Sequence, residues 1–91
     1  MTNTNPKVSC PCCGYLTNPK GTEENFHSHG FICPICFWEI DNFINNENDR
    51  SDSNHGLTLA EAIVNYKTFQ ATQKRLVKHC RKPNENEIPP Y

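Results

Sequence analysis

Hydrophobic positions fall in three places along the chain, and polar residues fill the intervals between them. Short apolar stretches follow two cysteine pairs, Tyr15–Thr17 after the first pair and Phe37–Ile40 after the second. Further along, residues 59–69 carry apolar side chains at helical spacing, namely Leu59, Ala62, Ile63, Tyr66 and Phe69. This pattern predicts short extended segments around the cysteines, followed by one amphipathic α-helix that packs on them.

The start of the helix is well marked, whereas its end is not. Thr58 can cap the first turn, and Glu61 lies three residues further on, which is the spacing of a capping box. We therefore expect a helix from about Leu59 to Gln70. For residues 71–82 two alternatives remain open: the helix continues, or the chain breaks and returns as a strand over Leu76–His79.

The segments that flank the cysteines predict a β-hairpin. Asn18–Gly21 has the proline and glycine of a tight turn, so Tyr15–Thr17 and Glu24–His29 are expected to pair as antiparallel strands. Phe37–Ile40 is expected to leave the second cysteine pair as a third extended segment. The polar stretch Asp41–His55 is long for a connection within a compact domain, which predicts a mobile or functional loop.

Two Cys-Pro-x-Cys runs carry the clearest chemical signal. Nineteen residues separate Cys13 from Cys33, which gives the spacing C-x2-C-x19-C-x2-C of a four-thiolate zinc site. Zinc binds four such ligands tetrahedrally and then has no open position for water. We predict one structural Zn²⁺ ion bound by Cys10, Cys13, Cys33 and Cys36.

The remaining cysteines and two histidines leave alternatives open. Cys12 is either a spare thiol or an alternate ligand that replaces Cys10 or Cys13. Cys80 lies far along the chain and is expected to be a buried or surface thiol. His27 and His29 are expected on one face of a strand, where surface positions are more common than metal ligation.

Size and composition favour a metal-stabilised domain in a reducing compartment. The chain has 91 residues, of which 35% are hydrophobic, so it can bury only a limited core. Its N-terminal residues are polar and do not resemble a signal peptide, and no stretch is apolar enough for a membrane span. We therefore expect a cytoplasmic protein, in which six cysteines favour a metal over disulfides, with a redox-active pair as a further alternative.

Charge is divided unevenly along the chain, although the net charge is only −1. Residues 23–61 contain eight acids and one base, whereas residues 62–82 contain six bases and no acid. Such a division could hold the two halves together, or it could present charged faces to partners of opposite charge.

The order of these motifs resembles a known family, the bacterial cysteine-rich CPCC domains, over about residues 8–83. The matching stretches are Cys10–Thr17, Ile32–Glu39, Asn54–Ala62 and Asn65-Tyr66. The chain departs from the family pattern at Ile40, where a second acid is usual, and at Gln70-Ala71, where Gly-Ala is usual. The resemblance implies a small zinc-ribbon-like domain and no established activity.

These patterns together predict a small α+β fold, a zinc-ribbon-like β-hairpin with two Cys-Pro-x-Cys knuckles packed by one amphipathic α-helix. The domain is expected to span residues 8–83, between a flexible tail of residues 1–7 and a polar tail of residues 84–91. A closed four-cysteine shell and the lack of a clear nucleophile–base set argue against catalysis, so we expect neither an enzyme nor a small-molecule substrate.

Two hypotheses about binding follow. The first is a non-catalytic protein-interaction module, such as an adaptor or an immunity or antitoxin-type protein. The second is a nucleic-acid-binding protein that uses the basic residues 67–82. A membrane partner is not expected. The candidate partner-binding residues are Trp38, Glu39, Asp41, Lys74, Arg75, Lys78 and Arg81.

Overall fold

The computed structural model describes residues 7–19 and 28–90, and within these ranges the chain forms an α+β fold, as predicted. The strands are β1 (Lys7–Ser9), β2 (Leu16–Pro19), β3 (Arg50–Ser51) and β4 (Leu57–Thr58), and the α-helix is α1 (Leu59–Phe69). Three 3₁₀ helices accompany them, Asp52–Asn54, Lys74–His79 and Glu85–Glu87. β1 pairs antiparallel with β2, and β3 with β4.

Among the described residues, β2 forms a hairpin with a strand that the sequence analysis did not predict. The partner of β2 is β1, and the first cysteine pair makes the turn between them. Of the predicted strand Glu24–His29, residues 24–27 lie outside the described part of the chain, and residues 28–29 are not in a strand. Lys7, which was predicted to belong to the tail, is instead the first residue of β1; the rest of that tail, residues 1–6, is also outside the described residues.

A second, shorter hairpin encloses the second cysteine pair. Ile32 and Glu39 form an antiparallel bridge. The pairing extends outward, because the N–H of Ile40 donates to the carbonyl oxygen of Phe31, and the N–H of Gly30 donates to that of Ile40, both at 2.8 Å. The predicted third extended segment is therefore one arm of this hairpin.

The helix α1 begins where the sequence predicts. The backbone N–H of Thr58 donates to Glu61 Oε1 at 2.9 Å, and the N–H of Glu61 donates to Thr58 Oγ1 at 3.0 Å, so the capping box is confirmed. The helix ends at Phe69 because Gln70 adopts a left-handed conformation with φ of 66°. Within the described residues, no helix is both long and apolar enough to cross a membrane.

Both alternatives for residues 71–82 are wrong. After Gln70 turns the chain, Ala71 and Thr72 are buried, and Lys74–His79 forms a 3₁₀ helix rather than a strand or more α-helix. A run of this kind tightens the chain into three residues per turn, which here places Leu76 in the interior.

The polar stretch after the second hairpin is folded rather than extended. β3 and β4 pair at its C-terminal end. The side chain of Asn54 fastens this stretch to the second hairpin by making the two backbone hydrogen bonds that a neighbouring strand would make. Its amide donates to the carbonyl oxygen of Glu39 and its Oδ1 accepts from the N–H of Glu39, both at 2.8 Å. The N–H of Ala60 donates to the carbonyl oxygen of Glu47 at 3.0 Å, which ties the stretch to α1.

The core lies between the two cysteine hairpins and the first turns of α1. Half of its eight buried members are cysteines: the set is Cys10, Cys12, Cys33, Ile35, Cys36, Trp38, Ile40 and Ala62. A core this small and this rich in thiols has little aliphatic surface to bury, so its stability depends strongly on what the thiols bind.

Candidate metal centre

Four cysteine side chains, two from each pair, meet in the core. Their Sγ atoms all lie within 4.8 Å of one another. Sγ of Cys10 is 3.6 Å from Sγ of Cys36, and Sγ of Cys13 is 3.8 Å from Sγ of Cys33. Cys13 is half-buried and the other three are buried. The four predicted ligands are therefore brought together.

These separations fit a tetrahedral metal ion. With zinc–sulfur bonds of about 2.3 Å, the edge of a tetrahedron of sulfurs is about 3.8 Å. The measured distances of 3.6 and 3.8 Å match that edge. A donor set made only of thiols suits zinc or iron, and it does not suit magnesium or calcium, which prefer oxygen. The cluster can therefore hold a metal ion.

The first cysteine pair is positioned by the turn between β1 and β2. The N–H of Cys10 donates to the carbonyl oxygen of Tyr15 at 2.8 Å, and the N–H of Gly14 donates to that of Cys10 at 2.9 Å. Gly14 has φ of 84°, a conformation that glycine adopts without steric cost. This tight turn directs Cys10 and Cys13 toward the same point.

The second pair repeats the turn residue for residue. The N–H of Cys33 donates to the carbonyl oxygen of Trp38 at 2.9 Å, and the N–H of Phe37 donates to that of Cys33 at 2.8 Å. Phe37 stands where the first turn has glycine and has φ of 74°. A side chain in this conformation costs about 1–2 kcal/mol, so the second turn is the more strained of the two.

The correspondence between the two turns indicates why the side chain of Cys12 is buried outside the four-thiol cluster. It corresponds to Ile35, and both are buried, with 7% and 1% of their surface exposed. Cys12 is not a member of the four-thiol cluster. It therefore packs as a small apolar residue, which favours the spare-thiol interpretation over the alternate ligand.

Two polar groups near the cluster were not identified from the sequence as part of the site. The hydroxyl oxygen of Thr17 lies 3.1 Å from Sγ of Cys33, and the N–H of Trp38 donates to Sγ of Cys36 at 3.4 Å. Donors aimed at thiolate sulfur stabilise its negative charge and orient the ligand. No local sequence signal marks Thr17, because its contact depends on β2 bringing it beside the second cysteine pair.

Residues 71–82, which we call the C-terminal strap, cross the outside of the second turn. The N–H of Thr72 donates to the carbonyl oxygen of Cys36 at 2.9 Å, and the N–H of Arg81 donates to that of Pro34 at 3.2 Å. Asn65 holds the strap to α1 by donating to the carbonyl oxygen of Thr72 at 2.8 Å. The base-rich segment is thus anchored beside a cluster that, as four thiolates around a divalent ion, carries a net charge of −2.

Within residues 7–19 and 28–90, no ion pair joins the acidic half of the chain to the basic half. The one direct ion pair among the described residues links Arg81 to Glu87 at 2.7 Å, within the C-terminal part of the chain. This pair raises the pKa of Arg81 and lowers that of Glu87. Because no acid from residues 28–61 pairs directly with a base of the strap, the two charged surfaces face solvent separately.

The four thiols of the cluster share their protons unequally. Hydrogen bonds from Cys10 first, and then from Cys13, Cys36 and Thr17, hold the pKa of Cys33 well below its ordinary value. The hydrogen bond to Cys10 is also the largest cause that raises the pKa of Cys36. The pKa of Cys10 is also lowered, chiefly by its hydrogen bond with Cys13, so the cluster favours thiolates at Cys33 and Cys10, and metal binding would displace the protons that the other two thiols retain.

Other thiols and imidazoles lie apart from the cluster. Cys80 is half-buried, its Sγ donates to the carbonyl oxygen of Leu76 at 3.4 Å, and burial raises the pKa of its thiol. His29 is exposed and its Nδ1 accepts from the N–H of Asn42 at 3.0 Å, so it is not positioned as a ligand. His27 falls outside the described residues.

Two of the acidic-side candidates for partner binding are interior residues, which corrects the prediction. Trp38 is only 1% exposed and belongs to the core. Asp41 is buried, and its carboxylate accepts from the hydroxyl of Ser51 at 2.6 Å and from the N–H of Phe43 at 2.9 Å. Glu39 is half-buried, with its main chain bonded to Asn54 as described above. None of these three is a simple surface contact residue.

The basic candidates are at the surface. Lys74, Arg75 and Lys78 are exposed on the 3₁₀ helix of the strap. Arg81 is also exposed, but its guanidinium makes two hydrogen bonds to Glu87, at 2.8 and 2.7 Å, which offset part of its charge.

Comparison with known protein families assigns the chain to one of them. A sequence model of the family described as Cysteine-rich CPCC matches residues 8–87, which is most of the chain. The protein therefore belongs to the cysteine-rich CPCC family. Neither a comparison with curated protein sequences nor one with solved structures gives a match.

Proposed function

We propose that this protein is a non-catalytic protein-interaction module whose fold is held by one structural zinc ion. The observation that carries the first half of the proposal is the four-thiol cluster, with sulfur–sulfur distances of 3.6 and 3.8 Å at the centre of the core. Four protein ligands close the tetrahedron, which leaves no coordination position for water or substrate. A closed site of this kind stabilises a fold and is poorly suited to Lewis-acid catalysis.

Zinc is proposed over iron on chemical grounds. Both ions accept four thiolates in a tetrahedron. Zinc has no redox chemistry, which suits a site that serves as a scaffold. Elemental analysis of protein purified without added metal tests the choice: one equivalent of zinc in a colourless protein supports it, and one equivalent of iron in a coloured protein contradicts it.

The free thiols of the cysteines support the proposal that the protein is located in a reducing compartment such as the cytoplasm. All six cysteines are free thiols in the structure. In an oxidising environment, thiols as close as these would be expected to form disulfides. The metal-bound form therefore fits a location where thiols stay reduced.

The surface that supports the second half of the proposal is a groove of about 440 Å³ beside the second hairpin. We call it the acidic groove, and it is lined by Trp38, Ile40, Asp41, Ile44, Glu47 and Leu59, among others. Phe43 projects from the same stretch of chain and is 85% exposed. Exposed aromatic side chains beside an apolar depression are typical of protein-binding surfaces.

An affinity-capture comparison tests this function. The zinc-loaded full chain is used as bait beside the variants Phe43→Ser and Glu47→Lys, with Val64→Ser as a matched control because Val64 is also exposed, at 61%, on the outer face of α1. A stoichiometric protein partner that is retained by the control and lost by both groove variants supports the proposal. A partner indifferent to these variants, or no partner at all, contradicts it. An adaptor and an immunity-type protein both fit, and they differ in whether the partner is a toxic enzyme.

A second candidate function, nucleic-acid binding, is favoured by a separate cleft of about 350 Å³. Two tyrosines, Tyr15 and Tyr66, line it together with Arg81 and Lys82, and no acid is among its lining residues. Aromatic rings with nearby bases are the usual means of holding single-stranded nucleic acid. The negative charge of a metal-loaded thiolate cluster nearby and the pairing of Arg81 with Glu87 both oppose phosphate binding, so this function ranks second.

Salt dependence separates the second function from the first. If the cleft binds phosphates, a labelled single-stranded oligonucleotide binds more weakly as salt rises, and Lys82→Gln lowers the slope by about one unit. An oligonucleotide that does not bind at low salt, or whose binding ignores Lys82→Gln, removes this candidate.

A further inference from the structure

We infer that the acidic groove binds a basic, amphipathic segment of a partner protein, with an apolar side chain on the groove floor and lysine or arginine side chains at its rim. This inference rests on the proposed protein-binding function and specifies the chemistry of the partner. It is carried by three properties of the surface, namely its depth and lining, its charge, and an exposed aromatic residue, Phe43, that stands in the chain between the lining residues Asn42 and Ile44.

The floor of the groove is apolar and of limited size. Ile44 and Leu59 are half-buried and form its accessible walls, over the buried side chains of Trp38 and Ile40. A volume of about 440 Å³ is near the lower limit of pockets that hold small ligands, which are typically about 300–1,000 Å³. The groove is therefore suited to one or two apolar side chains of a peptide rather than to a large cofactor.

The charge around the floor is negative. The groove's lining residues include two acids, Asp41 and Glu47, and no base, and residues 41–55 as a whole, with four acids and one base, carry a net charge of −3. The base, Arg50, is bonded through its guanidinium to the carbonyl oxygen of Gly56 at 3.0 Å and is not among the groove residues. A field of one sign over an apolar floor attracts a segment of opposite charge and rejects acidic ones.

The carboxylates of this loop differ in whether they are available to form an ion pair with a partner. Both oxygens of Asp41 are engaged within the protein, by Ser51 and by the N–H of Phe43. Asp49 accepts from the N–H groups of Asn45 and Asn46, so it shapes the loop. Glu47 is exposed and lines the groove, which makes it the carboxylate best placed to meet an incoming lysine or arginine.

The exposed ring of Phe43 packs against one neighbouring imidazole, which restricts its orientation in part. The Phe43 ring lies edge-on to His29, with ring centroids 5.2 Å apart and an angle of 82° between their planes. A large side chain that is already partly oriented loses less conformational entropy when a partner covers it, and aromatic residues of this kind dominate binding energies. The aliphatic part of a long basic side chain can pack on such a ring.

A second copy of this chain is the alternative occupant. Lys74–His79 is itself a basic segment, and Val77 within it is 42% exposed. This segment is already folded as a 3₁₀ helix with Leu76 buried in its own chain, which leaves Val77 as its one exposed apolar side chain for a groove. A partner protein is therefore the better assignment, and self-association is an outcome that the test can detect.

The test uses three fluorescein-labelled peptides of equal length and the zinc-loaded full chain. The first peptide alternates leucine and arginine, the second replaces arginine with glutamate, and the third replaces leucine with serine. Fluorescence anisotropy is expected to show binding of the first peptide at least tenfold tighter than of either other peptide. Phe43→Ser and Glu47→Lys are each expected to weaken it by about tenfold or more. Val64→Ser and the surface charge control Glu85→Lys are expected to leave it unchanged.

Several results would overturn the inference. Equal binding of the acidic or the serine peptide, or binding that ignores both groove variants, shows that the groove does not select a basic amphipathic segment. Light scattering that shows concentration-dependent assembly of the wild type, abolished by Lys78→Glu, assigns the groove to a second copy. A groove-dependent partner that lacks a basic segment refutes this inference and leaves the proposed function standing, whereas a chain with no groove-dependent partner refutes both.

Discussion

Replacing Cys33 by serine is the most direct perturbation of the metal centre. The Cys33 side chain is fully buried, with Cys13 Sγ at 3.8 Å and Thr17 Oγ1 at 3.1 Å. Serine has a shorter bond to its oxygen and a much less acidic hydroxyl, so it neither reaches the centre of the cluster nor supplies a thiolate. We expect Cys33→Ser to bind no stoichiometric metal and to lose cooperative unfolding.

The expected size of the effect follows from two scales. A chain of 91 residues is typically stable by about 5–14 kcal/mol. A structural zinc ion contributes about 10–16 kcal/mol to small zinc modules. Since the metal term is as large as or larger than the net stability, a chain whose small core is half cysteine is expected to unfold when the site is broken.

Cys12→Ala is the matched control, because Cys12 is a buried cysteine next to the site that is not in the cluster. Removing its sulfur is expected to cost about 1 kcal/mol in lost burial and packing, which lowers the melting temperature by about 4–8 °C. Metal content after gel filtration gives occupancy, and the fluorescence of Trp38, the single tryptophan, reports unfolding. A Cys33→Ser protein with one equivalent of metal and a sharp melting transition would refute the assignment, as would loss of metal in Cys12→Ala.

Three further predictions concern residues outside the cluster. Asn54→Ala is expected to cost about 2 kcal/mol, because it leaves the N–H and carbonyl of Glu39 without their partners; a chemical-denaturation midpoint equal to that of the wild type would contradict this. Gln70→Gly is expected to raise stability by about 1 kcal/mol by removing the cost of the left-handed conformation, and Gln70→Ala is expected to bring no such gain. The N–H of Thr58 lowers the pKa of Glu61, so the capping box stabilises the fold above the ordinary carboxyl pKa and loses this effect as pH falls through the lowered value. Stability curves of Glu61→Gln and wild type should therefore converge in acid, and parallel curves would show that Glu61 is not involved.

Local signals in the sequence predicted local structure well. The capping box at Thr58 and Glu61 depends on residues three apart, and the structure has both of its hydrogen bonds. The ligand set likewise follows from the spacing of Cys10, Cys13 and the second pair, because a Cys-x-x-Cys turn leaves two sulfurs on one side of the chain.

Features that depend on distant contacts were missed. β1 has only three residues, and the alternation of polar and apolar residues in Lys7–Ser9 is too short to mark it as the partner of β2. Trp38 was a candidate partner-binding residue, yet its side chain lies in the core, directly after the left-handed turn at Phe37. The hydrogen bonds of Asn54 to the backbone of Glu39 could not be predicted from the sequence, because they depend on how close the fold brings two residues that are 15 positions apart.

The equivalence of Cys12 and Ile35 was present in the sequence but became evident only from the paired backbone bonds of the two turns. Aligning Cys-Pro-Cys-Cys with Cys-Pro-Ile-Cys places the extra cysteine opposite an isoleucine. The extra cysteine therefore has a packing counterpart in the second turn, and its thiol also hydrogen-bonds to that of Cys36.

Two backbone amides that anchor the C-terminal strap allow opening of the proposed metal site to be followed by hydrogen exchange. The amides of Thr72 and Arg81 are bonded to the carbonyl oxygens of Cys36 and Pro34, yet neither residue is a ligand. Their exchange with deuterated solvent requires the strap to separate from the second turn, so the rates measure opening of the site in the native state. We expect exchange at these two amides to be slow in the metal-loaded protein and fast after chelation. The rate at which they become exchangeable would then give the rate at which the strap opens during metal loss, without any label on the cysteines.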